Sequence, residues 1–282
     1  MTVCVGVAVH DCLVFAADSA TTLVNTNPAT GQSVVYNVYR HGHKVFNLHR
    51  QLPIAAMTCG MGNFGALSIG TIAKDLRQRM TSSSQDWRIN PNSYTIADKA
   101  RRYIFDECYN VLQPRPPAPH SFEFWVGGYD SNRGAGHHVH KITIENGQCG
   151  APDAVVVGGA TSLFVGGQVA PINRLVGGFD QGLGDELVAG GMDQTVAVQL
   201  VSHLRSKFEV QLLAPTMPVQ DAIDLAEFLT GTTKAYYRFL PGADIVGGDT
   251  DIAVVTRHEG FKWVKRKHYY PPELNPLETD HA

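Results

Sequence analysis

The 282-residue chain lacks the features that would assign it to several functional classes. It has no CxxC pair, and its cysteines (Cys4, Cys12, Cys59, Cys108, Cys149) are odd in number, so neither a disulfide framework nor a zinc site is expected. Each lies in or near an apolar run, where free cysteine behaves as a small hydrophobe. No run approaches 18 apolar residues, so no membrane span is expected. The N-terminus has no basic segment followed by an apolar stretch, so no signal peptide is expected and the location is read as cytoplasmic. Charged residues make up only 17% of the chain and the formal net charge is −3, which gives no basic excess for nucleic acid. The one local basic cluster, KWVKRKH at 262–268, reads as a solvated face. Glycine pairs at 127–128, 158–159 and 166–167 have neither the G-x-G-x-x-G nor the P-loop form, so they read as turns or bulges and no cofactor is expected. His137, His138 and His140 have no acidic or cysteine partner at ligand spacing, so no metal is expected either.

What is present is a chain of ordinary globular composition, long enough to bury a sizeable core. VCVGVAV (3–9) and LVFAA (13–17) are short β-branched runs around the turn-prone His10-Asp11, and predict a β-hairpin. Being apolar on both faces, these strands are expected to be covered on both sides. Asp18 ends the second strand. NTNPATGQS (25–33) reads as a loop, followed by VVYNVY, KVFNL (44–48) and the buried strand LPIAAMTCG (52–60). The spacing of Leu67, Ile69, Ile72, Ala73 and Leu76 predicts a helix running to Met80, and a second helix spans roughly 94–112 before the proline cluster 114–119. Strands at 122–130 and 137–145, then AVVVGG and SLFVGG, precede a glycine-interrupted helical region. Helices at 195–213 and 219–239 and a closing strand hairpin follow. Segregated runs of strands and helices argue for an α+β fold, two packed sheets with helix pairs on both outer faces. One domain over 1–268 and an extended or disordered tail over 269–282 are expected.

Thr2 carries the chemistry this chain can offer at its start. With Met1 removed, it would hold a hydroxyl and a free α-amine on one residue, a nucleophile beside its own base. Thr2 alone is more simply the first residue of a strand. The stretch T-x-x-x-G, then FAAD-S-x-T-T, HKVFNL and IAAMTCG, resembles a proteasome-type subunit of the N-terminal-nucleophile hydrolases, and among these the bacterial Anbu-type proteins in overall length and C-terminal extension.

The resemblance implies a four-layer αββα sandwich with Thr2 as nucleophile, Asp18 as the acidic residue that orients the site and Lys44 as the active-site lysine. Lys44 lies further from Thr2 than the family's lysine does, and an insertion around 25–33 would absorb the difference at little thermodynamic cost. Gly60 matches the glycine whose N–H serves as oxyanion donor, a turn glycine being the plainer reading. Asp244, in GADIVGGDTD, matches the aspartate of a late Asp-x-x-Ser-Gly pattern, but Gly247 stands where serine is expected. FVGGQ (164–168) likewise lacks the serine of a mid-chain Gly-Ser-Gly.

The implied function is threonine-dependent amide-bond hydrolysis by a self-assembling peptidase subunit. Its partners would be further copies of the chain, in a ring or helical assembly, and a peptide or unfolded-protein substrate. Two alternatives use the same residues or fold: a non-peptidase amidase or acyl-transfer enzyme, and a non-catalytic assembly subunit.

Overall fold

The computed structural model describes residues 2–26, 33–82, 86–90, 93–129 and 136–267. The expected tail, 269–282, and Met1 lie outside them.

Two antiparallel sheets form the centre. In the first, β1 (Val3–Val9), β2 (Cys12–Ala17), β13 (Ser162–Gly167), β14 (Asp251–Thr256) and β15 (Gly260–Lys265) are ordered β13-β1-β2-β14-β15. In the second, β5 (Val45–Asn47), β6 (Ile54–Gly60), β9 (Ser121–Tyr129), β10 (His137–Glu145) and β11 (Gln148–Cys149) run in the order β11-β10-β9-β6-β5, with β12 (Asp153–Val156) also paired to β10. Two small hairpins stand apart from these sheets: β3 (Thr21–Thr26) with β4 (Ser33–Tyr39), and β7 (Asn63–Phe64) with β8 (Leu67–Ser68).

The period of two along β1 explains the layering. Val3, Val5, Val7 and Val9 face a helical layer that includes Ile172, Ala222, Ala226 and Leu229. Cys4 and Ala8 face the opposite way, into a core shared with Met57, Cys59 and Trp125 of the second sheet. Gly6 falls on that inner face, and its lack of a side chain admits the Phe164 ring, which a Cβ would meet at 1.9 Å. The outer face of the second sheet packs Phe122, Phe124 and Ile142 against α1 (Ile69–Thr81) and α2 (Ser93–Arg101). The outer face of the first sheet is covered by α3 (Ala170–Gly177) and α6 (Val219–Phe239). α4 (Leu183–Ala189) and α5 (Gln194–Phe208) complete the helices. The result is the four-layer αββα sandwich.

Several boundaries differ from the sequence reading. Ser68, whose side chain caps the N-terminus of α1 by accepting from the Thr71 amide, starts that helix after Leu67, which is exposed on β8. α2 continues as a π-helix over Arg102–Tyr109. The glycine-interrupted segment forms two short helices, with Gly178 in the left-handed conformation ending α3. Helix α5 stops at Phe208 rather than 213, where the chain turns so that the Val210 amide reaches the Val176 carbonyl. The small polar run after Asp18 and the flanks of the expected loop pair as the β3–β4 hairpin, with residues 27–32 outside the described set.

Candidate active site

The ends of β1 and β2 bring Thr2 and Asp18 together, because the antiparallel register sets Cys4 opposite Ala17. Asp18 is fully buried, and four donors converge on its carboxylate. Oδ1 accepts from the Val3 amide at 3.0 Å and from Lys44 Nζ at 2.7 Å. Oδ2 accepts from the amides of Ala20 at 3.1 Å and Gly247 at 3.0 Å. Lys44, just before β5, also donates to the Ala20 carbonyl. One carboxylate oxygen therefore ties the peptide that follows Thr2 to the lysine ammonium. A buried charge needs this degree of pairing to be tolerated.

Thr2 and Lys44 both line a cavity of about 270 Å³, whose wall also includes Thr58, Gly60 and Gly62. Thr2, Cys59 and Gly60 line a second, wider hollow of about 880 Å³, closed on one side by the proline-rich segment from Pro114 to Pro119. Gly60 is at φ +92°, and a Cβ there would lie 2.3 Å from the Ser121 carbonyl oxygen, so the turn itself demands glycine. It is also positioned on the rim of both hollows. Cys59 beside it is not a competing nucleophile: its hydrogen bond with Cys4, its burial and the nearby Glu123 carboxylate all hold the thiol protonated, well above its usual pKa.

β13 supports Thr2 from the other side. The Gln168 amide donates to the Thr2 carbonyl at 2.7 Å, and Tyr237 in turn donates to the Gln168 side chain. Gly167, from the glycine pair without the expected serine, adopts φ +78° opposite Val3, where a Cβ would stand 2.0 Å from the Thr2 carbonyl oxygen. Gly167→Ala is therefore expected to destabilise the fold by about 2 kcal/mol or more and to displace Thr2. Urea unfolding measures the first effect; a variant as stable as the parent would show that β1 has room to shift.

Asp244 is placed differently from its sequence expectation. It pairs with Arg40 Nη1 at 2.9 Å and lines a separate surface hollow rather than either cavity at Thr2. The late loop nevertheless reaches the site, through the Gly247 amide on Asp18 and the Gly247 carbonyl, which accepts from the Ser19 amide at 3.0 Å.

A second buried lysine–aspartate pair lies behind the first, and sequence reasoning missed it. Lys267 Nζ meets Asp251 Oδ2 at 2.6 Å, donates to the Gly42 carbonyl at 2.9 Å and also donates to Ser19 Oγ. Ser19 Oγ donates to the Asp249 carbonyl. Burial opposes ionisation of Asp251, but hydrogen bonds from His43 and Lys267 outweigh it and hold the carboxyl below the usual range. Lys267, expected on a solvated basic face, is thus buried against the residue next to Asp18. Only the FAADS motif hinted that Ser19 mattered.

His137, His138 and His140 are buried on β10, and among the described residues no group of three or more His, Cys, Asp or Glu is placed to hold a metal. Burial pushes the His137 pKa down to about 4 against the opposing hydrogen bond to the Ala160 carbonyl. The unfolded chain takes up this proton as pH falls through about 6.5 and the folded chain only near 4, so stability is lost across that window on acidification. Between pH 7 and pH 5 the loss from this one group is about 2 kcal/mol. His137→Gln is expected to shrink the pH dependence of urea unfolding by that amount; an unchanged slope would assign the acid sensitivity elsewhere.

No protein-family model matches the chain, and no curated protein matches it. Among solved structures it is similar to an Anbu (Gly-1) mutant from Hyphomicrobium sp. strain MC1, with a TM-score of 0.50 and 14% identity over 95% of this chain and 86% of that one. Among the described residues, no helix is long and apolar enough to cross a membrane. The chain therefore has the fold of an Anbu protein, the fold implied by the motifs around Thr2, Asp18 and Lys44.

Proposed function

We propose that the chain is a threonine-dependent amide-bond hydrolase, a self-assembling proteasome-like peptidase subunit with Thr2 as its N-terminal nucleophile once Met1 is removed. The single observation that carries this reading is the shared Asp18 oxygen, which accepts from both Val3 N and Lys44 Nζ at the wall of the cavity that Thr2 lines.

The chemistry follows from these groups. The free α-amine of Thr2, with an ordinary pKa near 8, takes the Oγ proton as Oγ attacks the scissile carbonyl. The Lys44 ammonium favours the deprotonated forms of amine and hydroxyl through its charge, and Asp18 fixes its position. Negative charge collects on the carbonyl oxygen, where the Gly60 N–H is the candidate donor; one such donor contributes about 3 kcal/mol. The C–N bond breaks, the amine leaves with a proton, and water then hydrolyses the ester on Thr2.

The two hollows share Thr2, Thr22, Cys59, Gly60, Met61 and Gly62, which suits an extended substrate with chain on both sides of the cleaved bond and favours a peptide over a small metabolite. Self-assembly is supported by the β3–β4 hairpin, which stands as a two-stranded sheet and exposes Val24, Val34, Tyr36 and Tyr39. Such a hairpin is marginal alone and gains stability when partners cover its exposed apolar residues.

Intact-mass measurement of the purified full-length protein, before and after a threonine-directed electrophile, tests the proposal. Loss of Met1 and one adduct per chain, mapped to Thr2, is the expected result. Retained Met1, or a trimmed chain that stays unmodified, would reject it.

A further inference from the structure

A crevice of about 440 Å³ opens where the edge strand of each sheet, β5 and β15, faces α1. Lys74 and Arg77 of α1, Lys262 of β15 and Arg266 just beyond it all line it, with no carboxylate among the lining residues. Arg50 is close enough to act on Arg77 as well: burial first, then the Arg50 and Arg266 charges, hold the Arg77 pKa down.

Several arginines elsewhere are neutralised. Arg40, Arg79, Arg102 and Arg174 each meet a carboxylate, at 2.9, 2.7, 3.2 and 2.9 Å. Among the described residues, none of Lys74, Arg77, Lys262 and Arg266 has such a partner, and Arg77 Nε is buried without a hydrogen bond. Cations along an open strand edge guard it against pairing with other chains, which accounts for Lys262 on β15. That account does not extend to Lys74 and Arg77, which are on a helix. Like charge gathered in a concave site raises the local potential and attracts counter-ions.

We propose that this crevice is a binding site for a triphosphate group, carried by a small molecule. Guanidinium forks match phosphate oxygens in geometry and charge, and the crevice has the volume of a small-ligand pocket. The Arg266 guanidinium lies 5.0 Å from the centre of the Trp263 ring and occupies its face, so recognition rests on charge rather than on stacking of a base. The inference is independent of the chemistry at Thr2.

Titration calorimetry of the full-length protein with tripolyphosphate, without divalent cations and at an ionic strength of about 0.15 M, tests the site. One saturable event per chain is expected, weakened at least about tenfold in Arg77→Gln and in Arg266→Gln, and unchanged in Arg174→Gln, whose arginine is paired elsewhere. Thermal melting of each variant checks that it is folded. ATP binding as tightly as tripolyphosphate, or more tightly, supports a triphosphate carried by a small molecule; ATP binding at least about tenfold more weakly would overturn that and assign the site to free condensed phosphate. Absence of saturable binding up to about 1 mM tripolyphosphate would overturn the proposal, as would equal affinity in the two variants or hexaglutamate binding as tightly.

Discussion

Thr2→Ala is expected to abolish peptide hydrolysis, lowering kcat/KM on the order of 10⁴-fold or more, while leaving the fold close to its original stability. The separation of the two effects is particular to this site. The Thr2 carbonyl, which accepts from the Gln168 amide at 2.7 Å, belongs to the main chain and survives the change. The Asp18 network uses the Val3 amide, not the Thr2 hydroxyl. Truncation therefore removes the nucleophile without leaving a buried ion unpaired, and urea unfolding should move by about 1 kcal/mol or less. Thr2→Ser keeps hydroxyl and amine on one residue and is expected to retain measurable turnover. Fluorogenic peptides and a threonine-directed electrophile supply the readouts. Unchanged turnover in Thr2→Ala would sink the assignment outright.

Asp18→Ala and Lys44→Met should both abolish the proposed hydrolysis, but they should not cost the same stability. Asp18 is the acceptor for Lys44 and for three backbone amides. Its removal orphans those amides and leaves the buried ammonium donating to the Ala20 carbonyl with no counter-charge from Asp18, a loss of about 4 kcal/mol or more. Lys44→Met keeps the aliphatic length and leaves the carboxylate with its three N–H donors, so about 2 kcal/mol is expected. Turnover should fall at least about 100-fold in each, since the nucleophile and its amine lose the charge that tunes them. Chemical denaturation of the two variants side by side decides the order. If Lys44→Met proved the more damaging, Asp18 would not be the hub of the site.

The strands nearest Thr2 were legible because their sequence satisfies two requirements at once. β1 is apolar at odd and even positions, and the structure buries the odd set under helices and the even set between sheets. α6 matched from end to end because Pro218 marks its start and its apolar spacing holds throughout. The expected α5 runs past Phe208 because Val210 and Leu213 continue the apolar pattern after the helix has ended; Leu213 packs from irregular chain against the core, and Val210 is exposed. The π-helical turn after Arg101 carries no periodic signature. Asp18 was visible as the end of a strand, and Lys44 only through the likeness of HKVFNL to a known motif. The late contribution to Asp18 came from the main chain at Gly247, and a backbone amide leaves no mark on a sequence. Lys267 and Ser19 meet across 248 positions, a separation that no local pattern encodes.

That long-range meeting bears on when the protein becomes complete during synthesis. Thr2, Asp18 and Lys44 leave the ribosome early, yet the carboxylate between them still lacks the Gly247 amide, and Ser19 still lacks Asp249 and Lys267. Until the last hairpin has emerged, Asp18 has donors missing and β2 has no β14 beside it. A nascent chain therefore carries its candidate nucleophile through almost the whole of translation in an unassembled setting. Completion of the candidate site therefore waits on the C-terminal segment that supplies Gly247, Asp249 and Lys267.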